Sequence, residues 1–220
     1  MLVVSIVKPP ELRRCLWREL DTILNESGFT RVSYGRTGEY RRAVTGGSQQ
    51  ITFPTYSRWG RLEVYCPHVA LHLDAVEEFV VRFEVPGPVP QKPRDIEMRS
   101  TLGLRLVKWS LIGLIERTWI ISDESKAPKI ARQLAPWVIS KGTSFWEQFS
   151  DDRKLLRILS GDGKEFRRYG LDRVRAQRAV ALTFLLDGKE AASNVAEAKL
   201  SVLRGDHHAE FKDWMHRALA

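Results

Sequence analysis

The chain has 220 residues, with 35 Lys and Arg against 27 Asp and Glu, a net charge of +8, and 43% hydrophobic and 28% charged residues. This is the balance of an ordinary soluble globular protein, and the basic excess speaks to anionic partners and solubility rather than to fold. Two cysteines, Cys15 and Cys66, are too few for a disulfide framework, and no apolar run approaches the roughly 18 residues of a membrane span. The expectation is a cytoplasmic protein with no membrane partner, either one large domain or one domain with an appended subdomain.

Residues 1–7 (MLVVSIV) are apolar but short, and they carry no signal-peptide pattern. Pro9, Pro10 and Glu11 open a helix. Leu12, Cys15, Leu16, Leu20, Ile23 and Leu24 fall at the three-and-four spacing of one helical face, and Gly28-Phe29 ends it. The pattern then changes to period two. Strands are predicted at Thr30 to Tyr34, Glu39 to Val44 and Gln49 to Tyr56, with turns at Gly35–Gly38 and Gly46-Gly47; Pro54 suggests an edge or a bulge. Arg58-Trp59-Gly60 turns into a run from Leu62 to Asp74 whose apolar parity shifts once. Leu62, Val64 and Cys66 share one face, then Val69, Leu71 and Leu73. A one-residue shift moves side chains to the other face, so a bulge or break is expected at Cys66-Pro67.

Ala75 to Phe83 fits a short helix or a strand. Residues 85–95 (VPGPVPQKPRD) form an irregular connection, and strands follow at Leu102 to Trp109 and Thr118 to Ser122. Ser122-Asp123-Glu124-Ser125 starts a helix striped by Ile130, Leu134 and Val138, which Pro136 should kink or end. Phe145, Trp146 and Phe149 form an aromatic knot, and Ser150-Asp151-Asp152 caps a helix carrying Leu155, Leu156 and Leu159. Gly161-Asp162-Gly163 marks a boundary. Three helices are expected beyond it, at 171–187, 189–204 and 206–219. The fold class is therefore α+β: an antiparallel β-sheet packed against helices over 1–160, with a C-terminal helical subdomain over 161–220. The predicted core comprises Leu16, Leu20, Leu24, Phe29, Ile51, Phe53, Val69, Leu71, Leu104, Ile120, Ile130, Leu134, Phe149 and Leu156.

Taken in order, several stretches resemble the bacterial domain-of-unknown-function family numbered 4304. They are the leading helix ending in Ser27-Gly28-Phe29, Tyr40-Arg41-Arg42, Gln50-Ile51-Thr52-Phe53, the strand near Val69 to Leu73, and Leu104-Arg105-Leu106 with Trp119-Ile120-Ile121. The last is Trp137 through Ser144-Phe145-Trp146-Glu147 to Ser150-Asp151-Asp152. The resemblance covers about residues 10–160 and implies an α+β fold and no chemistry. The Pro-rich 85–95 connection and the 161–220 extension depart from it.

No phosphate loop, Gly-x-Ser-x-Gly elbow or His-Glu-x-x-His helix is present. His68, His72 and Asp74 lie at alternate positions and could form a metal set, although alternate strand side chains stand about 7 Å apart and an exposed polar face explains them as well. Cys66-Pro67-His68 invites a thiol-nucleophile reading, against a small core cysteine at a strand break. His207-His208 beside Asp206 reads as a helix cap, and the basic segment 164–178 as a phosphate dock or the outer face of a helix pair.

The partner surface expected from the sequence is the strand segment 31–61. Arg31, Arg36, Arg41, Arg42, Arg58 and Arg61 face a single acid there, Glu39, with Tyr34, Tyr40, Tyr56 and Trp59 interleaved. Arg and aromatics dominate protein-interface hot spots, and on a sheet they also hold single-stranded nucleic acid. The expected function is a non-enzymatic protein-interaction module of a bacterial accessory system, toxin-neutralising or defence-associated, without a cofactor. The alternatives are single-stranded nucleic-acid binding by the same sheet, or a metal-dependent enzyme built on His68, His72 and Asp74.

Overall fold

The computed structural model describes residues 8–84, 100–106, 118–161 and 172–220. The 1–7 run, the Pro-rich 85–95 connection, the 107–109 end of the expected strand and residues 164–171 of the basic segment lie outside them. The described elements are α1 (Pro9–Glu26), β1 (Thr30–Tyr34), β2 (Thr37–Val44), β3 (Gly47–Arg58), β4 (Arg61–Val64), β5 (His68–Leu73) and α2 (Asp74–Arg82). These are followed by β6 (Leu102–Arg105), β7 (Trp119–Ile121), α3 (Lys126–Gln148), α4 (Asp152–Ser160), α5 (Asp172–Val202) and α6 (Gly205–Leu219). The fold is α+β. The seven strands follow the order β1-β2-β3-β4-β7, with β5 joined to β3 and β6 to β5, and β1–β2, β3–β4 and β4–β7 are antiparallel. No described helix is long and apolar enough to cross a membrane.

The chain forms two compact units that are discontinuous in sequence, unlike the expected division at residue 160. One comprises 1–43, 49–69 and 105–145, the other 44–48, 70–104 and 146–220.

In the first unit α1 lies against β1 and β4. Its first turn uses two prolines where helical N–H groups have no partner anyway, and Glu11 accepts the Lys8 N–H at 3.1 Å. Its end is closed by Gly28 in the left-handed region (φ 80°), with the Phe29 N–H returning to the Leu24 carbonyl at 3.0 Å. Leu12, Leu16, Trp17, Leu20 and Leu24 are buried, each contributing about 2 kcal/mol of apolar transfer. Cys15 and Ile23 sit at the margin, and Trp17 takes the central position because β2 presents Gly38 beneath its ring. A Cβ at residue 38 would lie 2.7 Å from the indole.

The β3–β4 hairpin turns on Trp59 and Gly60, both with positive φ (49° and 71°), a two-residue connection whose twist suits antiparallel strands. Pro54 is not on an edge, because β3 has neighbours on both sides. It sits where β4 leaves: the ladder stops at Thr55 opposite Val64. The Tyr65 N–H still donates to the Pro54 carbonyl at 3.1 Å, and proline has no N–H to return. The expected break at Cys66-Pro67 is present between β4 and β5, with Cys66 at φ 40°.

In the second unit α2, α4 and α6 pack on α5. The residues at 75–83, undecided by pattern, are helical. Phe79 lies 4.9 Å from Phe184 and 6.4 Å from Trp214, and Trp214 donates to the Val80 carbonyl at 3.1 Å. Glu77 is fully buried and receives Arg178 through two bonds (2.7 and 3.0 Å) and the Thr101 hydroxyl at 2.9 Å. Two further cations close the end of α4: Arg175 donates to the carbonyls of Ile158 and Leu159, and Lys199 to that of Ser160. Asp151 caps its start, accepting from the Arg153 and Lys154 N–H groups. Gly188 (φ 83°) breaks α5 where the Leu186-Asp187-Gly188 punctuation predicts.

Four predicted core residues are corrected. Ile120 is 44% exposed while Trp119 and Ile121 are buried, because β7 aligns Ile120 with Glu63 on the outer face of β4. Leu104, Ile130 and Leu156 are half-buried; Leu102 and Leu106, Ala127 and Ala131, and Leu155 and Leu159 occupy the inner positions beside them. α3 continues through Pro136, which with Arg132 lies on its exposed side, where water can take the carbonyl that proline leaves unbonded.

Candidate functional site

Strand alternation divides the ten residues expected to form one surface. Tyr40 and Arg42 share the α1 side of β2. Tyr40 is buried and donates to Asp21 Oδ1 at 2.9 Å, and Arg31, opposite it on β1, pairs with Asp21 Oδ2 at 3.1 Å. Burial, reinforced by the Asp21 charge, pushes the Tyr40 phenol far above its usual range. Arg42 donates to Gln49 and to the Ser27 carbonyl and covers the Phe29 ring at 4.6 Å. These three residues hold α1 to the sheet. Arg41 lies on the opposite face of β2, and Tyr34 is the last residue of β1.

A different group comes together at the other end of the sheet. Tyr56 and Arg58 on β3, and Arg61 and Tyr65 on and after β4, lie on the face turned away from α1, since Leu62 and Val64 face inward. Tyr56 is 59% and Trp59 81% exposed. Tyr56 meets Tyr65 edge to face at 6.4 Å, Arg58 lies over the Trp59 ring at 4.0 Å, and Arg105 lies over Tyr65 at 5.2 Å. Ile120 extends the patch onto β7 through its alignment with Glu63. Tyr65, Arg105 and Ile120 were not among the residues expected here. Tyr65 could have been found from its parity with Glu63, whereas Arg105 reaches the patch through Tyr65, forty residues away, and Ile120 through Glu63, 57 residues away.

Beside this face, on the α1 side, a cleft of about 500 Å³ is lined by Pro10, Arg13, Arg36, Thr37, Pro54, Thr55, Tyr56 and Ser57. Arg13 donates to Thr55 Oγ1 at 3.0 Å and to Ser57 Oγ at 3.4 Å. Partial burial, with the neighbouring Arg36 charge, lowers the Arg13 pKa. Arg13 was also absent from the expected set, since the helical pattern marks it only as a polar-face residue.

The histidines do not form the expected set. His72 is buried and its Nε2 lies 3.1 Å from Oδ1 of Asp74, which is the first residue of α2 rather than a strand residue. His68 is exposed, its pKa lowered by desolvation of the ring and by Arg105. Among the described residues no three His, Cys, Asp or Glu side chains gather to hold a metal ion. Cys66 receives a bond from Arg105 at 3.0 Å, from a cation that cannot take its proton. His207 is exposed in the first turn of α6. The described arginines of the 164–178 segment are taken up within the chain: Arg173 binds Glu210 at the surface, while Arg175 caps α4 and Arg178 binds the buried Glu77.

No family model matches the chain, and no curated protein or solved structure does.

Proposed function

We propose that this chain is a non-enzymatic interaction module that takes an acidic surface of a protein partner on the outer face of β3, β4 and β7. The observation that carries the reading is the convergence of exposed Tyr56, Trp59, Tyr65 and Ile120, flanked by Arg58, Arg61 and Arg105. Aromatic and Arg side chains are the residues that anchor interfaces, and the cations give the face its charge preference. A toxin-neutralising or defence-associated role falls within this reading, and the resemblance to family 4304 adds an α+β fold to it and no activity.

The test is capture of partners from lysate of the source organism, after nuclease treatment, with the wild type and with Trp59→Ala and Tyr56→Ala/Arg61→Ala. Trp59 is exposed at a turn tip, so its replacement should alter stability by less than about 0.5 kcal/mol. The partner should nevertheless be lost. Retention of the same stoichiometric complex by both variants rejects the assigned face.

A second reading is single-stranded nucleic-acid binding on the same hairpin, favoured by the guanidinium stacked on Trp59 at 4.0 Å beside the open ring of Tyr56. It requires affinity that falls steeply between about 50 and 200 mM salt, through counterion release.

A further inference from the structure

Arg13 and Arg36 line one cleft, and among the described residues neither pairs with a carboxylate. Elsewhere in the same unit Arg31 has Asp21. Two guanidinium groups held together without a counter-charge repel each other, and an arrangement of this kind is stabilised when an anion enters. Arg13 is also pre-positioned: Thr55 Oγ1 and Ser57 Oγ hold two of its N–H groups, leaving three of the five donors of a guanidinium. Thr55 is itself fixed, its N–H donating to the Arg36 carbonyl at 3.2 Å and its hydroxyl to the same oxygen.

The backbone adds a further donor. Because antiparallel bonds alternate along a strand, the Thr55 N–H points toward β2, away from β4. The Ser57 N–H, two residues on, points the same way, past the start of β2 at Thr37. The helix beside the cleft contributes no amides, since prolines occupy its first two positions. The site is therefore built from side chains and one open strand edge. Tyr56 borders the cleft at this strand edge, with its ring on the outer face against Tyr65.

We propose that the cleft bounded by Arg13 and Arg36 is an oxyanion site that holds a phosphate group, that of a free nucleotide or of a single strand. Guanidinium forks match phosphate oxygens bidentately. The inference does not rest on the outer-face reading: Arg13 and Arg36 belong to the cleft alone, and Trp59→Ala, which tests that face, should leave phosphate binding unchanged.

Isothermal titration of the full chain with inorganic phosphate, adenosine monophosphate and a short oligothymidylate tests it, with acetate as the competing carboxylate. Inorganic phosphate and adenosine monophosphate should both bind. Arg36→Gln should weaken both about tenfold, the loss of a charge-assisted bond. Arg36→Lys should recover part of the affinity, and circular dichroism should show both variants folded, since Arg36 serves the fold through its backbone carbonyl. Tyr56→Ala, whose ring lies on the other face, should spare both. Equal affinities for the mononucleotide and the oligonucleotide assign a free nucleotide. Tighter, salt-sensitive binding of the oligonucleotide, with a salt slope lowered by about one in Arg36→Gln, assigns a single strand. Phosphate binding unaltered in Arg36→Gln, acetate competing as well as phosphate, or no binding of any phosphate compound at millimolar concentration overturns the proposal.

Discussion

Replacing Glu77 by Gln tests whether the second unit depends on one buried charge pair. Glu77 has no exposed side-chain surface and Arg178 only 14%, and the two share bonds of 2.7 and 3.0 Å. Gln preserves the volume and can still accept from the Thr101 hydroxyl, which itself receives the Leu73 N–H at 2.9 Å. The change therefore removes one charge and leaves the guanidinium buried without its counter-ion. Breaking a buried pair from one side costs about 3–5 kcal/mol, and the partial exposure of Arg178 places the expected loss near about 3 kcal/mol. For a chain of this size that corresponds to a fall in Tm of about 6–12 °C. Urea unfolding followed by circular dichroism measures it. Replacing both partners, Glu77→Leu with Arg178→Met, removes both desolvation costs and should recover at least half of the loss. A Glu77→Gln variant within about 0.5 kcal/mol of the wild type, or a double variant no better than the single one, would refute the reasoning.

Gly47→Ala would place a Cβ 2.0 Å from the carbonyl oxygen of His72 and 3.2 Å from the Leu73 Cα, so backbone must move. Stability should fall by about 2–3 kcal/mol, and an unchanged urea midpoint would contradict this close approach. Tyr40→Phe should cost about 1 kcal/mol through the lost Asp21 bond. Because the folded phenol pKa is raised, its contribution is complete below the unfolded value near about 10 and is lost as pH rises through the folded value. Alkaline titration of stability should be steeper in the wild type than in Tyr40→Phe, and identical profiles would reject the assignment. Asp151 shows the opposite sign: backbone bonds from Lys154 and Arg153 lower its folded pKa, so its contribution is present above the unfolded value near about 3.9 and is lost as pH falls through the depressed value. Asp151→Ala should speed hydrogen exchange in residues 152–160 at neutral pH, with the difference vanishing in acid; equal protection at neutral pH would show that the cap contributes nothing.

The candidate site was partly legible in the sequence. Its composition drew attention to segment 31–61, and Tyr56, Arg58, Trp59 and Arg61 remain together on the outer face. Arg31, Tyr40 and Arg42 leave that group because their positions on β1 and β2 face α1, where Asp21, Ser27 and Phe29 take them up. Arginine density along a chain does not report the face on which each guanidinium lies. That depends on which face the helix covers. Arg13 entered the site for the same reason, from a helix read for its apolar stripe alone.

Local chemistry determined the elements. The spacing of Leu12, Leu16, Leu20 and Leu24, the glycines at 28, 46, 60 and 188, and the parity shift at Cys66-Pro67 each act within a few residues, so the α+β class and most boundaries followed from the sequence by itself. The tertiary structure decided what those elements bury. The alignment of Ile120 with Glu63, the charge pair of Glu77 with Arg178 and the meeting of Arg13 with Thr55 join residues from 42 to 101 positions apart. Pattern carries no record of such partners, because register and burial are set when one element's face closes on another, and a side chain's role follows from that closure rather than from its own neighbours in the chain.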